Sequence, residues 1–184
     1  MTEPSSRFSL FLTPCKDDLV SLAAVIHELA DACGVPPFEP HVTVHTGDLS
    51  DSGLLQRAMT AAVKEVEPFF LRVTGIGCSQ EYFKSLFLEF EESAVLRAIH
   101  ERMKGELGED SGYRLVPHLS LLYSDMPLGK KEELARGVVL ERGDILFDRV
   151  KVVSPANGRQ GWREPGGWQT LFALKLGGAC RCGQ

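Results

Sequence analysis

The sequence predicts an α+β fold made of two related lobes, and two observations carry that prediction. Segments with strand-like and helix-like periodicity alternate along the 184 residues, the mark of mixed layers. One short phrase also occurs twice, Pro40-His41-Val42-Thr43-Val44 and Pro117-His118-Leu119-Ser120-Leu121. The two histidines lie 77 residues apart and there are only two copies, so duplication of a lobe fits better than a solenoid or propeller array.

In chain order, Arg7 to Thr13 reads as a first strand, stopped by Pro14. A helix is expected from Asp17 to Cys33, because Leu19, Leu22, Ile26, Leu29 and Cys33 recur on one face, and Gly34 with Pro36-Pro37 ends it. The first histidine phrase follows as a strand, then a break at Gly47-Asp48 and a helix from Asp51 to Glu65. Phe69 to Gly77 and Phe83 to Glu91 read as strands joined by a hairpin connection over Gly77 to Tyr82. Ser93 is the expected N-cap of a helix to Leu107, with Val95, Leu96, Ile99 and Met103 inward. The second phrase sits in a strand from Tyr113 to Tyr123, followed by a short helix from Lys130 to Gly137. Strands from Asp144 to Val153 and Trp168 to Leu176 flank a glycine-rich loop, Asn157 to Gly167.

A hydrophobic content of 43% and a charged content of 24% are those of an ordinary globular chain, which excludes a disordered tail-like protein. The expectation is one domain over residues 1–184 with a flexible tail at 177–184. A net charge of −5 argues against long nucleic acid as partner. No apolar run approaches the roughly 20 residues of a membrane span, and the five cysteines form no recognisable framework. The expectation is therefore a cytoplasmic monomer acting on a small molecule, without membrane or cofactor. Cys180 and Cys182 lack a second Cys/His pair and read as a free tail rather than a metal clip.

In a strand, alternate side chains share a face, so His41 goes with Thr43 and His118 with Ser120. Two imidazoles facing one cleft suit phosphoryl transfer, one acting as base and the other as acid near neutral pH. Thr43 and Ser120 would donate hydrogen bonds to the non-bridging phosphate oxygens as their charge rises. No Gly-x-Ser-x-Gly setting marks either hydroxyl as a nucleophile.

On these residues the chain resembles the two-histidine phosphoesterases, defined by two His-x-Thr/Ser-x motifs, and within them the cyclic phosphodiesterases first recognised in plants. The resemblance extends over most of the chain, including the run Pro117-His118-Leu119-Ser120-Leu121-Leu122-Tyr123. It implies a bilobal, LigT-like fold with antiparallel sheets around a central cleft, no metal, and hydrolysis of ADP-ribose 1″,2″-cyclic phosphate and nucleoside 2′,3′-cyclic phosphates, the latter to 2′-phosphates. It also implies His41 and His118 as the catalytic pair, Thr43 and Ser120 as phosphate clamps and Tyr123 as a further substrate contact. Which histidine is base stays open. A nucleotide-binding module without turnover and an enzyme of RNA ends are the competing readings, and a metal-dependent hydrolase ranks last.

Other residues carry weaker expectations. Tyr123 lies five residues after His118 and reaches the cleft only if its strand ends or bulges near Leu122. Tyr82 is the second candidate substrate contact, with Phe83 beside it, each able to stack on a base. His45 shares the His41 face on regular alternation but is expected at the surface, and His27 and His100 are expected as solvated flanks of helices. Trp162 and Trp168 could cover a nucleotide, and Arg159 and Arg163 could meet a pyrophosphate. Gly75-Ile76-Gly77 lacks the third glycine and following helix of a dinucleotide site.

Overall fold

A computed structural model describes residues 6–49, 51–108, 111–140, 142–156 and 158–177. Its elements run β1 (Ser6–Pro14), α1 (Lys16–Cys33), β2 (Val42–Leu49), α2 (Ser52–Val63), β3 (Phe69–Cys78), β4 (Leu86–Phe90), α3 (Ala94–Leu107), β5 (His118–Leu122), α4 (Leu128–Gly137), β6 (Asp144–Pro155) and β7 (Trp168–Lys175). All strand pairings are antiparallel. One half of the sheet is β7-β6-β1-β2 and the other is β3-β4-β5. The halves meet twice: β3 joins the start of β6 from Phe69↔Phe147 to Arg72↔Asp144, and β2 touches β5 at the single pair Val42↔Leu119. With β1 also paired to β6, six strands close on themselves and β7 extends the outer edge of β6.

Helix packing crosses between the halves. The apolar stripe Leu22, Ile26 and Leu29 of α1 is buried, and α1 rests against β5 as well as β1, while α3 of the second half lies on α2 and β2. The two lobes of the sequence reading are thus halves of one closed sheet. Leu10, Leu12, Val42, Val44, Leu88, Leu119, Leu121 and Val150 are buried together in its core.

Helix ends follow their local chemistry. Gly34, at φ 65°, terminates α1 in a Schellman arrangement, with Val35 N–H on the Ala30 carbonyl and Gly34 N–H on that of Asp31. Asp51 caps α2 by accepting from the N–H groups of Gly53 and Leu54, and Ser93 caps α3 by accepting from Leu96 N–H.

Several sequence expectations are corrected. Gly47-Asp48 does not break the first histidine strand, since the pairing with β1 carries β2 through to Leu49. Phe83 lies in a short 3₁₀ turn, Tyr82–Lys84, so β4 begins only at Leu86. Val95 is 39% exposed, and its inward place on α3 is taken by His100. The strand expected from Tyr113 shortens to His118–Leu122, because Pro117 has no N–H to give a ladder. The glycine-rich loop holds two 3₁₀ turns, Gly158–Arg163 and Pro165–Gly167. Asn157, Cys180, Cys182 and the tail from 178 onward lie outside the described residues, and Cys15, Cys33 and Cys78 are free thiols. No described helix is long and apolar enough to cross a membrane.

Candidate active site

The pair Val42↔Leu119 is the centre of the site. Both side chains are fully buried in the core. In an antiparallel pair, directly opposed residues point the same way, so one step along this register sets His41 opposite Ser120 and Thr43 opposite His118, all four on the other face. The repeated phrases are therefore related by an approximate two-fold axis through Val42–Leu119. They line one cavity of about 320 Å³.

Both motifs orient their imidazole by the same device. His41 Nδ1 lies 2.6 Å from the Glu39 carbonyl oxygen and His118 Nδ1 lies 2.8 Å from that of Val116, in each case two residues back across a proline. A carbonyl can only accept, so each Nδ1 carries the hydrogen and each Nε2 is left for chemistry. The intervening proline fixes one backbone dihedral between carbonyl and ring, which accounts for proline before both histidines.

The environments of the two rings differ. His41 is 5% exposed, stacked on Phe11 at 3.6 Å and met edge-on by Trp168. Burial, reinforced by the positive charges of Lys151 and His118, pushes its pKa down to about 3 despite the bond to Glu39. Lys151 also pairs with the Glu39 carboxylate, so the residue whose carbonyl holds His41 is itself tied to β6. His118 is only half-buried, with its ring against the edge of Phe87. Partial burial lowers its pKa as well, and nearby Lys84 adds to the effect.

Phe87 explains the second glycine of the pair in β3. Gly77 is paired with Phe87, and a Cβ there would stand 2.6 Å from the ring that supports His118. The glycine leaves room for a wall of the site.

Tyr123 reaches the cleft because β5 ends at Leu122. Its ring stacks on Phe38 at 3.8 Å, and its hydroxyl stands 3.5 Å from His41 Nε2, too far for a strong bond that would occupy the lone pair. Burial raises its pKa, and the hydroxyl contact with Ser120 works the other way. The Ser120 hydroxyl donates to the Phe83 carbonyl at 2.7 Å, so its one proton is directed away from an incoming oxyanion. Thr43 is held through its backbone, whose carbonyl accepts from the Tyr113 hydroxyl at 2.9 Å.

Of the aromatic candidates, Phe83 lines the cavity and Tyr82 does not. Tyr82 stands behind, 6.0 Å from the Tyr123 ring, with the Arg163 guanidinium 4.0 Å over its face. Arg163 pairs with Asp125, and Trp162 and Trp168 both line the cavity. The Arg159 side chain lies outside the described atoms.

His45 and His100 are corrected. The register of β1 with β2 jumps from Leu10↔His45 to Phe11↔Thr43, leaving Val44 as an extra residue. This bulge turns His45 into the core, where it is 1% exposed and its Nδ1 meets His100 Nδ1 at 3.3 Å. His100 is 6% exposed and its Nδ1 donates to the Val44 carbonyl at 2.9 Å. His45 Nδ1 must therefore accept, which puts its hydrogen on Nε2, a buried atom without a partner among the described residues. Burial lowers the His45 pKa to about 4, with the charges of His100 and Lys104 adding to it. His27 is exposed as expected.

Phe11, Glu39, Lys84, Tyr113 and Lys151 were missed by sequence reasoning. Phe11, Lys84, Tyr113 and Lys151 come from other strands and loops, and Glu39, two residues before His41, acts through its backbone carbonyl, which no side-chain pattern announces. Among the described residues, no three His, Cys, Asp or Glu gather as a metal would need.

The family described as cyclic phosphodiesterase-like protein matches residues 7–172. The TT0787 protein of Thermus thermophilus is similar in structure, with a TM-score of 0.62 at 16% identity, over 95% of this chain and 100% of that one. E. coli LigT complexed with 3′-AMP gives 0.61 at 12% identity over 94% and 99%, and LigT complexed with phosphate gives 0.57 at 12% over 95% and 99%. At such identities the likeness is one of fold. No curated protein matches the sequence.

Proposed function

The chain belongs to the cyclic phosphodiesterase-like family, and from that premise we propose that it hydrolyses small cyclic phosphates to phosphomonoesters by two-histidine acid-base catalysis without a metal. The substrates in this reading are ADP-ribose 1″,2″-cyclic phosphate and nucleoside 2′,3′-cyclic phosphates. The observation that carries it is the pair of imidazoles on one face of the Val42–Leu119 junction, each with Nδ1 fixed on a carbonyl and Nε2 left for proton transfer.

His41 is the base, because burial keeps it neutral, and the more accessible His118 is the acid. Water attacks phosphorus in line and gives one proton to His41 Nε2. As the new P–O bond forms, the bond to one ribose oxygen breaks, and that oxygen takes the proton from His118 Nε2. For a nucleoside the 3′ oxygen leaves, giving the 2′-phosphate. Both rings then return to their starting states by exchange with solvent. Thr43 donates to a non-bridging oxygen, Ser120 does so once its hydroxyl turns from Phe83, and Lys84 in the cavity wall supplies positive charge. Tyr123 holds the substrate beside His41, Phe83 offers a face to a base, and the protein acts as a monomer on a small nucleotide.

The test is phosphorus NMR of the products from each cyclic phosphate in excess chelator. The reading expects one new monoester resonance per substrate. Failure of every substrate, or turnover only with added metal, refutes it.

A further inference from the structure

We infer that the cleft contains a second anion subsite at Arg7, so that the preferred substrate carries, besides the cyclic phosphate, a further phosphate group about 10 Å away. This rests on the function proposed above.

The bulge at Val44 is the first support. Thr43 and Thr46 are three residues apart and regular alternation would set them on opposite faces, yet both line the cavity that holds His41 and His118. On the neighbouring strand, Arg7, Ser9 and Phe11 alternate onto the same side, and all three line that cavity, which the buried Phe8 ring between Arg7 and Ser9 also reaches. The cleft floor thus continues past the histidines as two rows, Thr43 to Thr46 on β2 and Phe11 to Arg7 on β1. Phe11 is stacked on His41, and four residues of strand span about 13 Å. Allowing for the flexible arginine side chain, its guanidinium addresses a group on the order of 10 Å from the reacting phosphorus. Successive phosphates of a nucleotide chain, or the diphosphate of a nucleotide sugar, fall in that range, whereas a lone nucleoside 2′,3′-cyclic phosphate has no second anion to offer.

Arg7 is ion-paired with Asp48 rather than hydrogen-bonded to it: its Nε is 3.6 Å from Asp48 Oδ1, and among the described residues that shielded nitrogen has no hydrogen-bond partner. The side chain is still 38% exposed. Among described residues lining the cavity, the lysine and arginine side chains are Lys84 beside His118 and Arg7 at the other end. One cation for each of two anions is the arrangement a doubly phosphorylated ligand would use.

The test compares kcat/KM for a nucleoside 2′,3′-cyclic phosphate, ADP-ribose 1″,2″-cyclic phosphate and a trinucleotide ending in a 2′,3′-cyclic phosphate, in the native protein, Arg7→Gln and Arg7→Lys. The inference predicts that Arg7→Gln lowers the ratio of either extended substrate to the nucleoside by tenfold or more, through KM, while Arg7→Lys keeps most of the ratio. Loss confined to the ADP-ribose compound assigns the subsite to a diphosphate, and loss confined to the trinucleotide assigns it to an oligonucleotide backbone. An Arg7→Gln protein with native melting and an unaltered ratio for both extended substrates overturns the inference and leaves the proposed function standing. No turnover of any of the three by native protein removes the function and the inference together.

Discussion

Acidification from pH 7.5 to 4.5 is expected to destabilise this protein steeply, through His41 and His45. Both are buried neutral, with pKa values lowered from 6.5 to about 3 and about 4. In the unfolded chain each titrates near 6.5, so below that pH the unfolded state binds protons that the folded state refuses. Stability is fully present above pH 6.5 and is lost as the pH falls toward the folded values. Each histidine removes about 1.4 kcal/mol per pH unit in that window, so the two together remove about 2.7. Over the two units from 6.5 to 4.5 the loss is about 5 kcal/mol, comparable to the whole stability of many domains. Urea unfolding at half-unit pH steps measures it. His45→Phe, which keeps a ring beside Phe8 and Tyr113, should halve the slope. Urea midpoints that stay level down to pH 5, or imidazole NMR resonances of His41 and His45 titrating near 6.5, would refute the reasoning.

The other predictions concern the site and its supports. Because His118 serves as acid with a pKa below 6.5, kcat/KM should decline as pH rises past that lowered value, and a rate that climbs through pH 6 to 7 speaks against the assignment. Thr43→Val should reduce kcat/KM by about 10- to 100-fold. Ser120→Ala should cost several-fold less, because Ser120 must first give up its bond to Phe83; equal losses in steady-state assays would show that the two hydroxyls act alike. Ser85 is fully buried, donates to the Ser124 carbonyl at 2.5 Å and accepts from Ser124 N–H at 2.9 Å, pinning the end of β5 to the 3₁₀ turn that carries Phe83. Ser85→Ala should therefore lower stability by about 2 kcal/mol, and a denaturant midpoint within error of native would contradict that role.

What the sequence made legible was what alternation along one strand decides. His41 with Thr43 and His118 with Ser120 share faces because only a residue or two of strand separates them, and the paired copies pointed to a common cleft. Tyr123 depended on where β5 ends, a conditional the structure resolves at Leu122. His45 was misplaced because the bulge at Val44 exists only in the pairing of β2 with β1, and His100 because β2 covers its helix face. Glu39 with Lys151, and Arg7 with its place in the cleft, follow from the closure of β6 and β2 onto β1. Such long-range pairing has no local periodicity to announce it.

The central claim is that two histidines act on one phosphorus. His41→Ala, His118→Ala and the double variant, each checked for native melting, should be assayed on one nucleoside 2′,3′-cyclic phosphate in excess chelator. Each single change should lower kcat by about 10²- to 10⁴-fold, with the double variant little worse than the poorer single one. A single variant that keeps more than about a tenth of native kcat would contradict the account.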